Sequence, residues 1–199
     1  MSSAPAGQPP LLNIANVLTG VRLLLVPVFL VALFTEGGTD TQWRLVAFGI
    51  FSFAALTDRL DGELARRRGL VTAFGTFIDP IADKALTGSA LVGLSMLGMV
   101  PWWATVLIMG RELGVTVLRL WVLRHGVIPA SRGGKAKTFV QSLAIGLYLL
   151  PLPDALVAVG VLRWVVLAIA IALTVGTGLD YVLRGMRLRH ATAPATEPS

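Results

Sequence analysis

Four aspartates fall within 26 residues of the chain: Asp58 and Asp61 are three apart, and Asp79 and Asp83 are four apart. On a helix either spacing puts both side chains of a pair on one face, about one turn distant. Seventeen residues separate Asp61 from Asp79, enough for a reversal, so two antiparallel helices would bring the four carboxylates together. Carboxylate oxygens are hard donors suited to Mg²⁺ or Mn²⁺. Two such ions about 3.5–4 Å apart form a clamp for displacement at phosphorus. Gly62 and Gly75 lack side chains where a substrate, or a neighbouring helix, would approach the backbone. The bland alternative is a structural network of these aspartates with Arg59, Arg66, Arg67, Arg68 and Lys84. An EF-hand is excluded, because Asp58-Arg-Leu-Asp61-Gly lacks the alternating oxygen ligands and the bidentate glutamate. Gly133-Gly134-Lys135-Ala136 is no P-loop, since neither Ser nor Thr follows the lysine. With no cysteine, and only His125 and His190, a zinc or iron–sulfur site is set aside.

The elements that must position these groups follow from composition. Hydrophobic residues make up 55% of the 199, charged residues only 14%, against about 25% charged in ordinary globular chains. Mean hydropathy is +0.75. A soluble domain of this size cannot hide so much apolar surface, so an integral membrane protein is expected. Residues 1–10 and 191–199 read as disordered tails around a single all-α domain, 11–190. Six hydrophobic segments run approximately Thr19–Phe34, Trp43–Thr57, Ala85–Val100, Trp102–Leu123, Phe139–Leu152 and Val161–Val175. A spanning helix needs about 20 residues, and several of these are shorter. The second segment must therefore continue past Asp58, and the third must begin before Asp83, which puts the acids at membrane depth or at the interface. Lys and Arg concentrate after segments two, four and six, so six spans with both termini cytoplasmic fit the positive-inside pattern. The same pattern, with anionic headgroups, accounts for the net charge of +6 without nucleic acid.

A second polar group interrupts the fourth segment. Arg111, Glu112 and Arg119 lie in otherwise apolar sequence, with Lys135 and Lys137 on the cytoplasmic side beyond it. A Glu112–Arg119 or Glu112–Arg111 ion pair is one reading. The other is a basic cluster that holds the phosphate of a small acceptor. Asn13, Asn16, Thr19 and Arg22 recur every three residues and form a drifting polar stripe on the first helix. Hydrogen bonds to a neighbouring helix explain that stripe as well as a substrate does.

Asp58-x-x-Asp61-Gly62-x-x-Ala65-Arg66, eight residues, then Gly75-x-x-x-Asp79-x-x-x-Asp83 resembles the signature of the CDP-alcohol phosphatidyltransferases, with all eight fixed positions present. At ordinary residue frequencies a chance match is on the order of 10⁻¹⁰ per start. The resemblance implies six transmembrane helices, a homodimer, and transfer of a phosphatidyl group from CDP-diacylglycerol to an alcohol with release of CMP. It implies that Asp58, Asp61, Asp79 and Asp83 hold two Mg²⁺ or Mn²⁺ ions and that Asp83 is also the general base. It further implies that Asp58, Asp61, Gly62, Ala65, Arg66 and Gly75 bind CDP-diacylglycerol. The stretches Asn13–Arg22, Gly110–Leu113, Gly134–Thr138 and Gly178–Tyr181 resemble bacterial members that use sn-glycerol 3-phosphate. Arg111, Arg119, Lys135 and Lys137 would then bind the acceptor phosphate, and the chain would sit in a bacterial inner membrane. Phosphatidylglycerol or inositol phosphate on the same scaffold is the alternative acceptor. A divalent-cation transporter is a distant one, because its acids would be spread along a pore.

Overall fold

The computed structural model describes residues 14–68, 73–122, 132–153 and 156–191, with side chains left aside at 14–16, 58–80, 83, 118–122, 132–133, 182 and 184–191. These residues form six α-helices: α1 (Ile14–Phe34), α2 (Thr41–Arg68), α3 (Ala73–Met96), α4 (Trp102–Val122), α5 (Arg132–Leu149) and α6 (Val157–Ala191). No strand occurs among them. The tails expected at 1–10 and 191–199 lie outside the described residues, except Ala191, which ends α6.

The extension argued from segment length is present. α2 runs on from its apolar part through Asp58 and Asp61 to Arg68, and α3 starts at Ala73, before Asp79 and Asp83. At 28 and 24 residues they are about 42 and 36 Å long. Both exceed the roughly 30 Å hydrocarbon layer.

The helices divide between two compact units. The first holds α1, α2, α3 and residues 145–152. Here α1 packs along both α2 and α3. Its core is Phe29, Leu33, Ala47, Phe51, Ala54, Leu86, Ala90, Leu91 and Leu94, with the Phe29 and Phe51 rings 6.2 Å apart and tilted. Small residues let the backbones close in: a Cβ added at Gly93 of α3 would meet Leu33 Cδ2 of α1 at 2.6 Å. A 3₁₀ turn (Thr35–Gly38) reverses the chain after α1, and Asp40 caps α2 by accepting from the Trp43 N–H at 2.9 Å. Gly38 closes this end of the unit. Its φ is +74°, and a Cβ there would lie 2.5 Å from Leu97 Cδ1 and 3.1 Å from the Leu33 carbonyl oxygen. The start of α2 therefore meets the end of α3, so those two helices are antiparallel, and α1 and α3 are parallel.

Arg44, at the start of the second hydrophobic segment, has a role that the sequence does not signal. It is buried in α2, and its Nη2 donates to the carbonyls of Tyr148 at 2.7 Å and Leu150 at 3.3 Å. Those carbonyls close α5, where the helix dipole favours a cation.

The second unit holds α4, residues 132–144 of α5, and α6, with α4 packed on α6. Thr174 of α6 is buried and returns its hydroxyl to the Ala170 carbonyl at 2.7 Å, so this polar group needs no outside partner.

Among the described residues two stretches, Val17–Gly38 and Val157–Tyr181, are long and apolar enough to cross a membrane. Only 28% and 17% of their most apolar windows are buried, unlike the core helix of a soluble fold. Leu24, Val28 and Val31 on α1, and Val161, Leu162, Val165 and Ile169 on α6, are exposed, a surface that suits lipid.

Gly38→Ala is expected to lower the apparent melting midpoint in detergent, since it adds a steric clash to a backbone cost of about 1 kcal/mol at positive φ. Gly37→Ala carries the same backbone cost at φ +65° with nothing within 4 Å of its Cβ, so it should cost less. Equal midpoints for the two variants would contradict the close approach of Leu97.

Candidate active site

Two groups of candidate residues occur, one in each unit. The first is acidic. In α2 the buried residues Arg44, Ala47, Phe51 and Ala54 are spaced three, four and three. Continuing that spacing along the helix by four, three and four reaches the backbone positions of Asp58, Asp61 and Ala65. In α3 the same step backward from buried Leu86 and Ala82 reaches positions 79 and 75. Asp83 lies seven residues before buried Ala90, on the flank of that stripe.

Depth matches as well as register. Counting from the closed end, Asp58 is about 26 Å along α2 from Thr41, and Asp79 about 26 Å along α3 from Met96. Asp61 and Asp83 are about 30 and 20 Å along. Because α2 and α3 are antiparallel, both acidic pairs belong to the end away from Gly38 and Leu97. The parallel α1 brings its own N-terminal part to that end. There Thr19 and Arg22 are buried at 5% and 4% exposure, while Asn13 lies outside the described residues. The side chains of Asn16, Asp58, Asp61, Ala65, Arg66, Asp79, Asp83 and Arg119 are likewise outside them, as are the surroundings of Gly62 and Gly75. Among the described side chains no group of three or more metal-ligating residues occurs.

The second group is an ion network in the other unit. Glu112 of α4 holds two cations on one oxygen: Arg111 Nη1 lies 3.2 Å from its Oε1, and Lys137 Nζ of α5 contacts the same atom. Arg111 also donates through Nη2 to Thr177 Oγ1 of α6 at 2.7 Å, and that hydroxyl donates on to the Leu173 carbonyl at 2.6 Å. Gly178 gives the arginine its place, since a Cβ there would sit 3.2 Å from Arg111 Cγ. Three helices thus contribute to one network, in which two cations share one carboxylate among the described residues. Lys137 is 3% exposed, whereas Lys135, two residues earlier, is exposed to solvent.

Sequence spacing had offered Arg119 or Arg111 as the partner of Glu112. Arg111 takes that role together with Lys137, a contact between α4 and α5 that no local spacing signals. Thr177 was missed too. Its neighbour Gly178 lay in a recognised stretch, but nothing in a single sequence points from Thr177 to Arg111.

Both the acidic signature and the helical fold define one class. Residues 12–176 match the CDP-alcohol phosphatidyltransferase family, and the chain belongs to it. It is 62% identical over 182 residues to a protein of Mycobacterium tuberculosis (strain H37Rv) named probable phosphatidylglycerophosphate synthase, covering 92% of this chain and 86% of that one. It is 36% identical to the CDP-diacylglycerol–glycerol-3-phosphate 3-phosphatidyltransferase of Bacillus subtilis (strain 168), over 85% of this chain and 93% of the relative. A cardiolipin synthase (CMP-forming) of Oryza sativa subsp. japonica is 37% identical over 79% of this chain and 54% of its own length.

Glu112→Gln takes the carboxylate from two cations, one of them buried, and should destabilise the protein by about 3 kcal/mol. Lys135→Gln, on the exposed side, should stay within about 0.5 kcal/mol of the parent. Apparent melting midpoints in detergent check the ranking, and an unshifted Glu112→Gln would show that the network does not hold the helices.

Proposed function

We propose that the protein transfers the phosphatidyl group of CDP-diacylglycerol to sn-glycerol 3-phosphate, giving phosphatidylglycerol phosphate and CMP. The observation that carries the choice of acceptor is the 62% identity, over nearly the whole chain, to a relative named probable phosphatidylglycerophosphate synthase. In this reading all six helices cross a bacterial inner membrane, both termini are cytoplasmic, two copies form a homodimer, and residues 11–190 make the catalytic domain. A site near membrane depth suits a donor whose acyl chains stay in lipid.

Members of the family are generally divalent-metal dependent. The donor set fits such ions: Asp58, Asp61, Asp79 and Asp83 are hard oxygen donors at positions toward the same end of two antiparallel helices, in a chain without cysteine. These four would hold two Mg²⁺ or Mn²⁺ ions, which supply charge neutralisation at the diphosphate. Asp58 and Asp61, with Gly62, Ala65, Arg66 and Gly75, would also form the nucleotide side of the donor site, where the glycines leave the backbone open to the ligand. Asp83 accepts the proton of the acceptor hydroxyl. The freed oxygen forms a bond to the phosphatidyl phosphorus, the bond from that phosphorus to the CMP oxygen breaks, and CMP leaves with the electron pair. Arg111, Lys135 and Lys137, with Arg119, hold the acceptor phosphate by charge-assisted hydrogen bonds. Glu112 keeps Arg111 and Lys137 in place.

Cardiolipin synthesis is the second reading, favoured by the 37% identity to the rice enzyme of that name. Purified protein given CDP-diacylglycerol with glycerol 3-phosphate, phosphatidylglycerol or inositol phosphate, and its lipid product weighed by mass spectrometry, separates the acceptors. Phosphatidylglycerol phosphate with CMP is expected, and cardiolipin alone would overturn the first reading.

Two substitutions test the roles. Asp83→Asn keeps much of the shape but cannot take the proton, so turnover should fall at least ~10²-fold. Near-normal turnover at neutral pH would move the base elsewhere. Lys135→Gln should raise the acceptor KM roughly tenfold or more and leave the CDP-diacylglycerol KM unchanged. The opposite split would assign the lysine to the nucleotide.

A further inference from the structure

Gln141 of α5 is 4% exposed, and its Oε1 is buried without a hydrogen-bond partner among the described residues. Buried amide oxygens are rarely left this way, because removing them from water without a replacement donor is unfavourable. Its place on the helix narrows what the missing donor is. Lys137 and Gln141 are four residues apart on one face of α5, both buried, with Ala144 continuing that face. The rise between them is about 6 Å. Lys137 is already fixed at Glu112 beside Arg111, so an unpaired acceptor lies one turn from two clustered cations.

An amide oxygen can only accept, so phosphate and ester oxygens do not satisfy it, whereas a hydroxyl does. A ligand that answers both features has an anionic group at one end and a free hydroxyl a few bonds away. sn-Glycerol 3-phosphate has that form: phosphate on C3, the attacking hydroxyl on C1, and a C2 hydroxyl that takes no part in the transfer. We propose that Gln141 is a specificity-determining residue whose Oε1 accepts a hydrogen bond from this spectator hydroxyl, while the cations one turn away hold the phosphate. The inference rests on the glycerol-phosphate reading above and goes further by naming how the middle carbon is read. A site that pairs with a substrate hydroxyl rejects the analogue lacking it, because the polar group is again left unpaired.

The test uses 3-hydroxypropyl phosphate, which keeps the phosphate and the attacking hydroxyl but has no C2 hydroxyl. kcat/KM for it and for sn-glycerol 3-phosphate is measured on the full-length protein with CDP-diacylglycerol, in the parent, Gln141→Met and Gln141→Leu. The parent should prefer glycerol 3-phosphate at least about tenfold. Both variants should lose most of that preference, with the donor KM and melting midpoint preserved. An undiminished preference in a folded variant overturns the inference, as does an equal loss on both substrates. A parent indifferent to the C2 hydroxyl overturns it without any variant, so a variant that fails to fold does not shelter it. If the parent uses neither phosphate yet releases CMP with another acceptor, the glycerol-phosphate reading itself has failed and the inference falls with it. Turnover of glycerol 3-phosphate with unchanged selectivity in the variants removes the inference alone.

Discussion

Antiparallel register between α2 and α3 is the constraint on which the proposed chemistry depends. Gly38, in the turn that leads into α2, packs on Leu97 just after α3, and Gly93 of α3 packs on Leu33 of α1. The start of α2 and the end of α3 are thus held at one end through α1 and its turn. Helices are stiff rods of 1.5 Å per residue, so fixing one end sets the depth of every later residue. Both acidic pairs lie toward the opposite end, beyond the apolar part of each helix. A carboxylate inside a membrane costs on the order of 2.5–3.5 kcal/mol on insertion scales, which four positions in register would sum unless cations offset it. Packing at the closed end and charge at the other are thus two consequences of the same pair of helices.

The second unit solves a related problem differently. Its charges pair internally, with Arg111 and Lys137 on Glu112, and the Thr177 hydroxyl on α6 accepts a further hydrogen bond from the arginine. An ion network of this kind does little for stability compared with apolar packing, but removing one partner is costly. It gives three helices a common polar centre of fixed geometry that carries two cations. That arrangement suits a dianionic substrate better than flexible surface lysines would, because the hydrogen-bond donors are oriented before it arrives.

Much of this was legible in the amino-acid sequence because it depends on local spacing. Segments too short to span required α2 and α3 to run into charged sequence, and they do. The acidic signature identified the family from eight positions. What escaped depends on contacts between distant elements. Arg44, at the head of the second segment, gave no sign of its role, because its partners are carbonyls more than 100 residues away. Glu112 had two plausible neighbours on its own helix, while its second cation arrives from α5. Gln141 gave no signal, since a glutamine is notable only when its environment leaves an oxygen unpaired.

The most direct test of the shared-depth argument is metal binding followed by electron paramagnetic resonance. Mn²⁺ would be titrated into the purified protein in the presence of CDP-diacylglycerol. The expected result is saturable uptake of two ions per chain with a spin-coupled signal, lost both in Asp61→Asn on α2 and in Asp79→Asn on α3. Coupling can require both helices only if their acidic ends meet. Uncoupled ions, or a coupled signal indifferent to either substitution, would contradict it.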